Sequence, residues 1–186
     1  VVYTQPGTDL GEYERIYLDD AYIAFKKYWQ REREDQESNQ LSADDLDRIK
    51  VELNALFKGV FSRTLEENGY QLAMEPAADV LRIKPAITNL EIVKLAKQPG
   101  SHLYSFSERE GNMTLYLELY DSISGDIVAR VIDRKGDRQT GYIQWQNRVS
   151  NRAAANRILQ VWANSLKQGL DQAHTTAPGA GGIQVR

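Results

Sequence analysis

The chain contains no cysteine, which removes disulfides, thiolate metal sites and cysteine nucleophiles together. Histidine is nearly as scarce. Only His102 and His174 can supply the imidazole on which most proton-transfer chemistry near neutral pH relies. No apolar run approaches the roughly 18 to 20 residues that span a bilayer. No charged-then-apolar leader precedes Val1, and a start at valine fits a processed or trimmed chain whose targeting segment has been removed. Positive charge is also in deficit. With 23 Lys+Arg against 26 Asp+Glu, the formal net charge is −3 and the pI near 5.5, whereas nucleic-acid binding draws on a basic surface that releases phosphate counterions. Three motif classes are missing as well: no G-x-S-x-G elbow, no H-E-x-x-H and no EF-hand loop occurs in the sequence. The glycine-rich stretch Gly179-Ala-Gly-Gly182 has neither the preceding strand nor the following helix that a phosphate loop needs. No cofactor is implied.

What remains is the composition of an ordinary globular chain, 41% hydrophobic and 26% charged. A length of 186 residues is near the upper end of what one hydrophobic core organises. The expectation is one domain over residues 1–174, followed by a flexible tail over 175–186, where three glycines and a proline leave chain entropy poorly offset.

Periodicity divides the chain further. Residues 1–12, with Pro6, Gly7 and Gly11, read as a lead-in of little structure. Ile16 and Leu18 share one strand parity, but Ile23 and Phe25 take the other, which predicts a bulge or bend at Asp19-Asp20. Residues 26–40 are charged and amide-rich, a solvated connection. Ser42 followed by Asp45 forms a capping-box signal, after which Leu46, Ile49, Leu53, Leu56, Phe57, Val60, Phe61 and Leu65 draw one apolar helical stripe up to Asn68-Gly69. Gly59 lies inside that helix, and close backbone packing is the expected reason. Residues 79–93 read as extended chain, with Pro85 placing it at an edge or a bulge. Met113, Leu115, Leu117 and Leu119 alternate with polar neighbours, and a turn at Ser122–Asp126 leads into Ile127–Asp133, an antiparallel hairpin. A second amphipathic helix spans roughly Asn151 to Ala173. The class is therefore α+β: a largely antiparallel or mixed sheet of about four to five strands, with two long amphipathic helices on one face.

Reactive constellations are thin. His102 sits beside Ser101 in a loop, where adjacent residues seldom bring an imidazole over a hydroxyl; His174 follows a helix end, where a cation suits the terminal carbonyls. Asp19-Asp20 reads as structural rather than as a metal pair, since strand neighbours point to opposite faces. Glu118 with Asp121 is one of many acid pairs available among 26 acidic residues. The candidate sites are accordingly catalytic none, metal none and cofactor none. A candidate interaction surface combines Tyr116 and Tyr120 on the hairpin with Arg134, Lys135, Arg138, Tyr142 and Trp145 beyond it. Cations and aromatics interleave there in the way that anionic or sugar-bearing ligands demand. The competing reading is a solvated hairpin end whose aromatics complete the core.

Several segments carry a family resemblance: Tyr3-Thr-Gln-Pro-Gly7, Tyr13 to Asp20, Ala78 to Ile83, Ala86 to Leu90 and Glu118 to Gly125. In these the chain resembles a bacterial family of lipoproteins catalogued as domain of unknown function 3313, over nearly its whole length. The resemblance implies export and tethering to the periplasmic side of a membrane through an upstream lipidated cysteine, a residue this sequence lacks. It implies no chemistry. The function expected is a non-enzymatic cell-envelope module binding a protein, glycan or lipid headgroup. A carboxylate-dependent hydrolase and a structural homo-oligomer subunit are the alternatives.

Overall fold

The computed structural model describes residues 1–26, 42–90, 92–94, 104–106, 113–135 and 148–175. His102, Arg138, Tyr142, Trp145 and the tail from residue 176 onward lie outside the described residues, as do the side chains of Arg134 and Lys135.

Among the described residues, nine strands and two helices follow one another. They are β1 (Val2–Thr4), a 3-10 turn (Leu10–Glu12), β2 (Arg15–Leu18), β3 (Tyr22–Phe25), α1 (Ala43–Glu67), β4 (Gln71–Leu72), β5 (Val80–Leu90), β6 (Ile92–Lys94), β7 (Tyr104–Phe106), β8 (Met113–Asp121), β9 (Ile127–Lys135) and α2 (Arg148–Thr175). The main sheet has seven strands in the order β1-β9-β8-β5-β2-β4, with β3 also pairing β5; β6 and β7 form a separate two-stranded ladder. The α+β class stands, but the strand count exceeds the four to five expected. The difference comes from β1 and β4, which are too short to leave a periodic signal. The sheet is also mixed: β1, β9, β8 and β5 pair antiparallel, whereas β2, β3 and β4 join it in parallel.

Helix α1 begins where the hydroxyl of Ser42 accepts from the Asp45 amide and the Asp45 carboxylate accepts from the Ser42 amide, a cap worth roughly 1 kcal/mol. It ends before Gly69, whose φ of 91° is a conformation that glycine adopts without a Cβ clash. Gly59 corrects one expectation. A Cβ built there meets nothing within 4 Å, so no backbone packs close against it and tight packing does not explain the residue.

One core holds these elements together. Phe57, Phe61 and Leu65 of α1 and Leu159, Trp162 and Leu166 of α2 close on Leu81, Ile83, Ile87, Leu115, Leu117 and Leu119 of the central strands. Phe57 and Phe61 stack at 4.0 Å, and the Trp162 indole N–H donates to Asp133 at 2.7 Å. Each fully buried apolar side chain contributes on the order of 1.5 to 3 kcal/mol before chain entropy is set against it. Both helices therefore cover the same side of the sheet.

The expected bulge is present and its register can be counted. Leu18 pairs Ile83 while Tyr22 pairs Ala86, so four residues advance on one strand against three on the other. The interruption is held from three sides: Asp19 pairs Arg82, Asp20 pairs Lys58, and the Ala21 amide donates to Asn54 Oδ1 at 2.7 Å. Pro85 is not at an edge. It lies in β5, a central strand, opposite the gap between β2 and β3, where a missing amide donor breaks no ladder bond. The lead-in is likewise structured, because β1 pairs β9 through Val2↔Val131, Tyr3↔Arg130 and Thr4↔Ala129.

Candidate functional site

Both helices lie on one side of the sheet and no described helix covers the other, whose display is fixed by strand register. Alternation along each strand sends Arg82, Lys84, Tyr116, Glu118, Tyr120 and Arg130 away from the core. Cross-strand pairing then arranges them in three rows. Tyr17, Arg82 and Tyr120 form the first; Lys84, Glu118, Arg130 and Tyr3 the second; Tyr22, Ala86, Tyr116 and Ile132 the third. The bulge at Asp19–Ala21 matters here, since it carries Tyr17 and Tyr22, five positions apart, to the same face. Tyr22 and Tyr3 are 67% and 59% exposed, so these rings are not part of any core.

Contacts within the array are specific. The Arg82 guanidinium lies 5.4 Å from the Tyr17 ring centroid, and the Lys84 ammonium 4.5 Å from that of Tyr120. Arg130 donates twice to Glu118, at 3.0 and 2.7 Å, and the Tyr120 hydroxyl donates to the same carboxylate at 2.8 Å. These bonds, that from Tyr120 foremost, hold the Glu118 carboxyl below its usual range, and the same bond raises the Tyr120 phenol. Glu118 is therefore a fixed anion, engaged by its neighbours rather than free to move protons.

A second feature lies at the end of the sheet. A cleft of about 580 Å³ is lined by Glu14, Arg15, Tyr70, Asp79, Asp171 and His174 among others. Arg15 grips Asp79 through two bonds of 2.6 Å, which lowers the Asp79 carboxyl. Lys167, at 2.6 Å, does the same for Asp171, which also accepts from the Tyr70 hydroxyl at 2.9 Å. The cleft's two engaged carboxyls are pushed down, opposite to what a general acid at neutral pH needs. His174 stands in the last turn of α2 with its ring 5.8 Å from that of Tyr70.

The structure brings Tyr116 and Tyr120 onto one surface. It places Arg134 and Lys135 in β9, opposite Thr114 and Met113; the remaining surface candidates lie outside the described residues. Glu118 and Asp121 do not form an acid pair: Asp121 accepts from the amides of Ile123 and Ser124 and from the Tyr13 hydroxyl. Asp19 and Asp20 serve separate ion pairs. Among the described residues, no group of three His, Asp or Glu is arranged to hold a metal ion, and no helix is long and apolar enough to cross a membrane. Sequence reasoning missed Tyr3, Tyr17, Tyr22, Arg82 and Lys84. The even parity of Arg82 and Lys84 against Leu81 and Ile83 was the signal available.

The class defined by these elements is an open, mixed α+β sheet with two helices covering one side and a tyrosine-and-cation array on the other. The chain belongs to the family described as "Protein of unknown function (DUF3313)", whose model matches residues 1–166. Curated proteins gave no match. Among solved structures, a DUF4136 family protein from Bacteroides thetaiotaomicron is similar at 15% identity, over 94% of this chain and 97% of that one, with a TM-score of 0.44. A DUF330 protein from Xanthomonas campestris is similar at 12% identity, over 94% and 95%, with a TM-score of 0.44. The PelC L103M dodecamer from Paraburkholderia phytofirmans is similar at 13% identity, over 87% and 92%, with a TM-score of 0.33. Likenesses of that depth carry neither chemistry nor partner across.

Proposed function

We propose that this protein is a non-enzymatic binding domain of the bacterial cell envelope, exported, tethered by a lipid on a cysteine upstream of Val1, and engaging its partner through the uncovered sheet face. The observation that carries the reading is the array itself. Five tyrosines and three cations stand on one sheet surface that no described helix covers, and tyrosine offers contact area at low entropic cost. The commitment of Asp79 to Arg15 and of Asp171 to Lys167 in the cleft, which pushes both carboxyls down, supports binding over hydrolysis.

A photo-crosslinking residue placed at Tyr116 in cells, compared with one at Arg63 on the exposed side of α1, tests the surface. Adducts are expected from position 116 and not from position 63. Equal or absent labelling at the two positions would remove the sheet face as the interface. Palmitate labelling of the complete gene product tests the anchor, with an unlabelled, freely soluble product counting against it.

A further inference from the structure

From the same array we infer that the ligand of the sheet face is a carboxylated glycan chain, lying across the strands with one of its carboxylates on Lys84; this rests on the sheet face being the binding surface.

Charge selects the position. Arg130 is committed to Glu118 and Arg82 to Asp19, so among the described side chains of this face three cations meet two carboxylates and one positive charge is left over. That charge is Lys84. Its ammonium sits above the Tyr120 ring and makes no ion pair with a carboxylate among the described residues. The carboxylate opposite it, Glu118, feels its charge but is bonded to Arg130 and Tyr120, so an incoming carboxylate finds a cation that no described carboxylate grips directly. The surplus is local, since the protein as a whole carries −3.

Spacing selects the ligand's form. Tyr17 and Tyr120 flank Arg82, and Tyr22 and Tyr116 flank Ala86. Each tyrosine pair thus stands two strands apart, about 9 to 10 Å at ordinary interstrand distance, which is the scale of two linked sugar rings. A sugar presents an apolar ring face that stacks on an aromatic and a polar rim that hydrogen-bonds beside it, which matches rings set next to hydroxyls and guanidinium groups. A free carboxylate would use Lys84 alone, and a neutral sugar the tyrosines alone. Only a chain carrying both groups uses the whole surface.

The test is titration of the isotopically labelled protein with an oligo-uronate hexasaccharide and with its neutral counterpart, followed by amide and tyrosine shifts. Saturable shifts confined to β2, β3, β5 and β8 are expected with the uronate, with affinity falling as salt rises. Lys84→Gln should weaken the uronate about tenfold, the loss of one local ion pair, and leave the neutral chain unchanged. Tyr116→Ala should weaken both, and Arg63→Gln neither. Equal binding of the two hexasaccharides, shifts mapping to the helices, or insensitivity to Lys84→Gln would each overturn the assignment. If neither sugar binds while photo-crosslinks at position 116 persist, the glycan falls and the interface stands. If both fail, the sheet face is not a binding surface.

Discussion

The two faces of β5 and β8 are built from the same strands, residue by residue, yet they answer to different physics. Leu81, Ile83, Leu117 and Leu119 are almost wholly withdrawn from water, and their free energy comes from burial against α1 and α2. One step along the same backbone, Lys84, Glu118 and Tyr120 contact each other, and Arg82 contacts Asp19 and Tyr17. Their bonds are exposed or only part-buried, and ion pairs near the surface contribute between nothing and about 1 kcal/mol. Stability therefore resides on the inner side. The outer side is free to be specified by what it touches.

Substituting neighbours in β8 breaks that contrast most directly. Leu117→Asp places an unpaired carboxylate among Ile83, Leu119 and the helices, and should cost upward of about 4 kcal/mol, enough to abolish folding. Loss of the cooperative thermal transition by circular dichroism is the expected result, and a native-like melt would show that the core is not where we place it. The core also holds Tyr13, buried, with its hydroxyl donating to Asp121 at 3.1 Å. Burial first, then that hydrogen bond, raises its phenol to about 12. Because the folded value exceeds the ordinary phenol value of 10.0, its contribution is complete below pH 10 and drains away as pH climbs from 10 to 12. Chemical denaturation across that window should show the wild type losing stability more steeply than Tyr13→Phe; parallel slopes would contradict the assignment. Tyr70, raised by burial and by Asp171, acts in the same sense. The smallest effect belongs to the outer face, where Glu118→Gln should change the denaturation midpoint by no more than about 0.5 kcal/mol equivalent. A loss several times larger would mean that the array is structural after all.

Much of the inner face was legible in the sequence because its causes are local. The Ser42 and Asp45 cap, the stripe ending at Leu65 and the alternation through Leu115, Leu117 and Leu119 each write their periodicity into consecutive residues. So does the parity break at Asp19-Asp20. The outer face was legible only in part, since Tyr116 and Tyr120 share a strand whereas Tyr17, Tyr22 and Lys84 reach them through pairings of β2, β3 and β5 that no short window contains. β1 and β4 escaped for another reason. A strand of two or three residues has no period to detect, and β1 is exposed along its length, so its place is set by main-chain bonds to β9 rather than by apolar patterning.

The extra residue between Leu18 and Tyr22 has one more effect. Removing Asp20 alone would act as a phase error in three dimensions: Tyr22 would be driven toward the core, and Ile23 turned out to water. The chain's length at that point is thus as binding a part of its specification as the identity of any side chain.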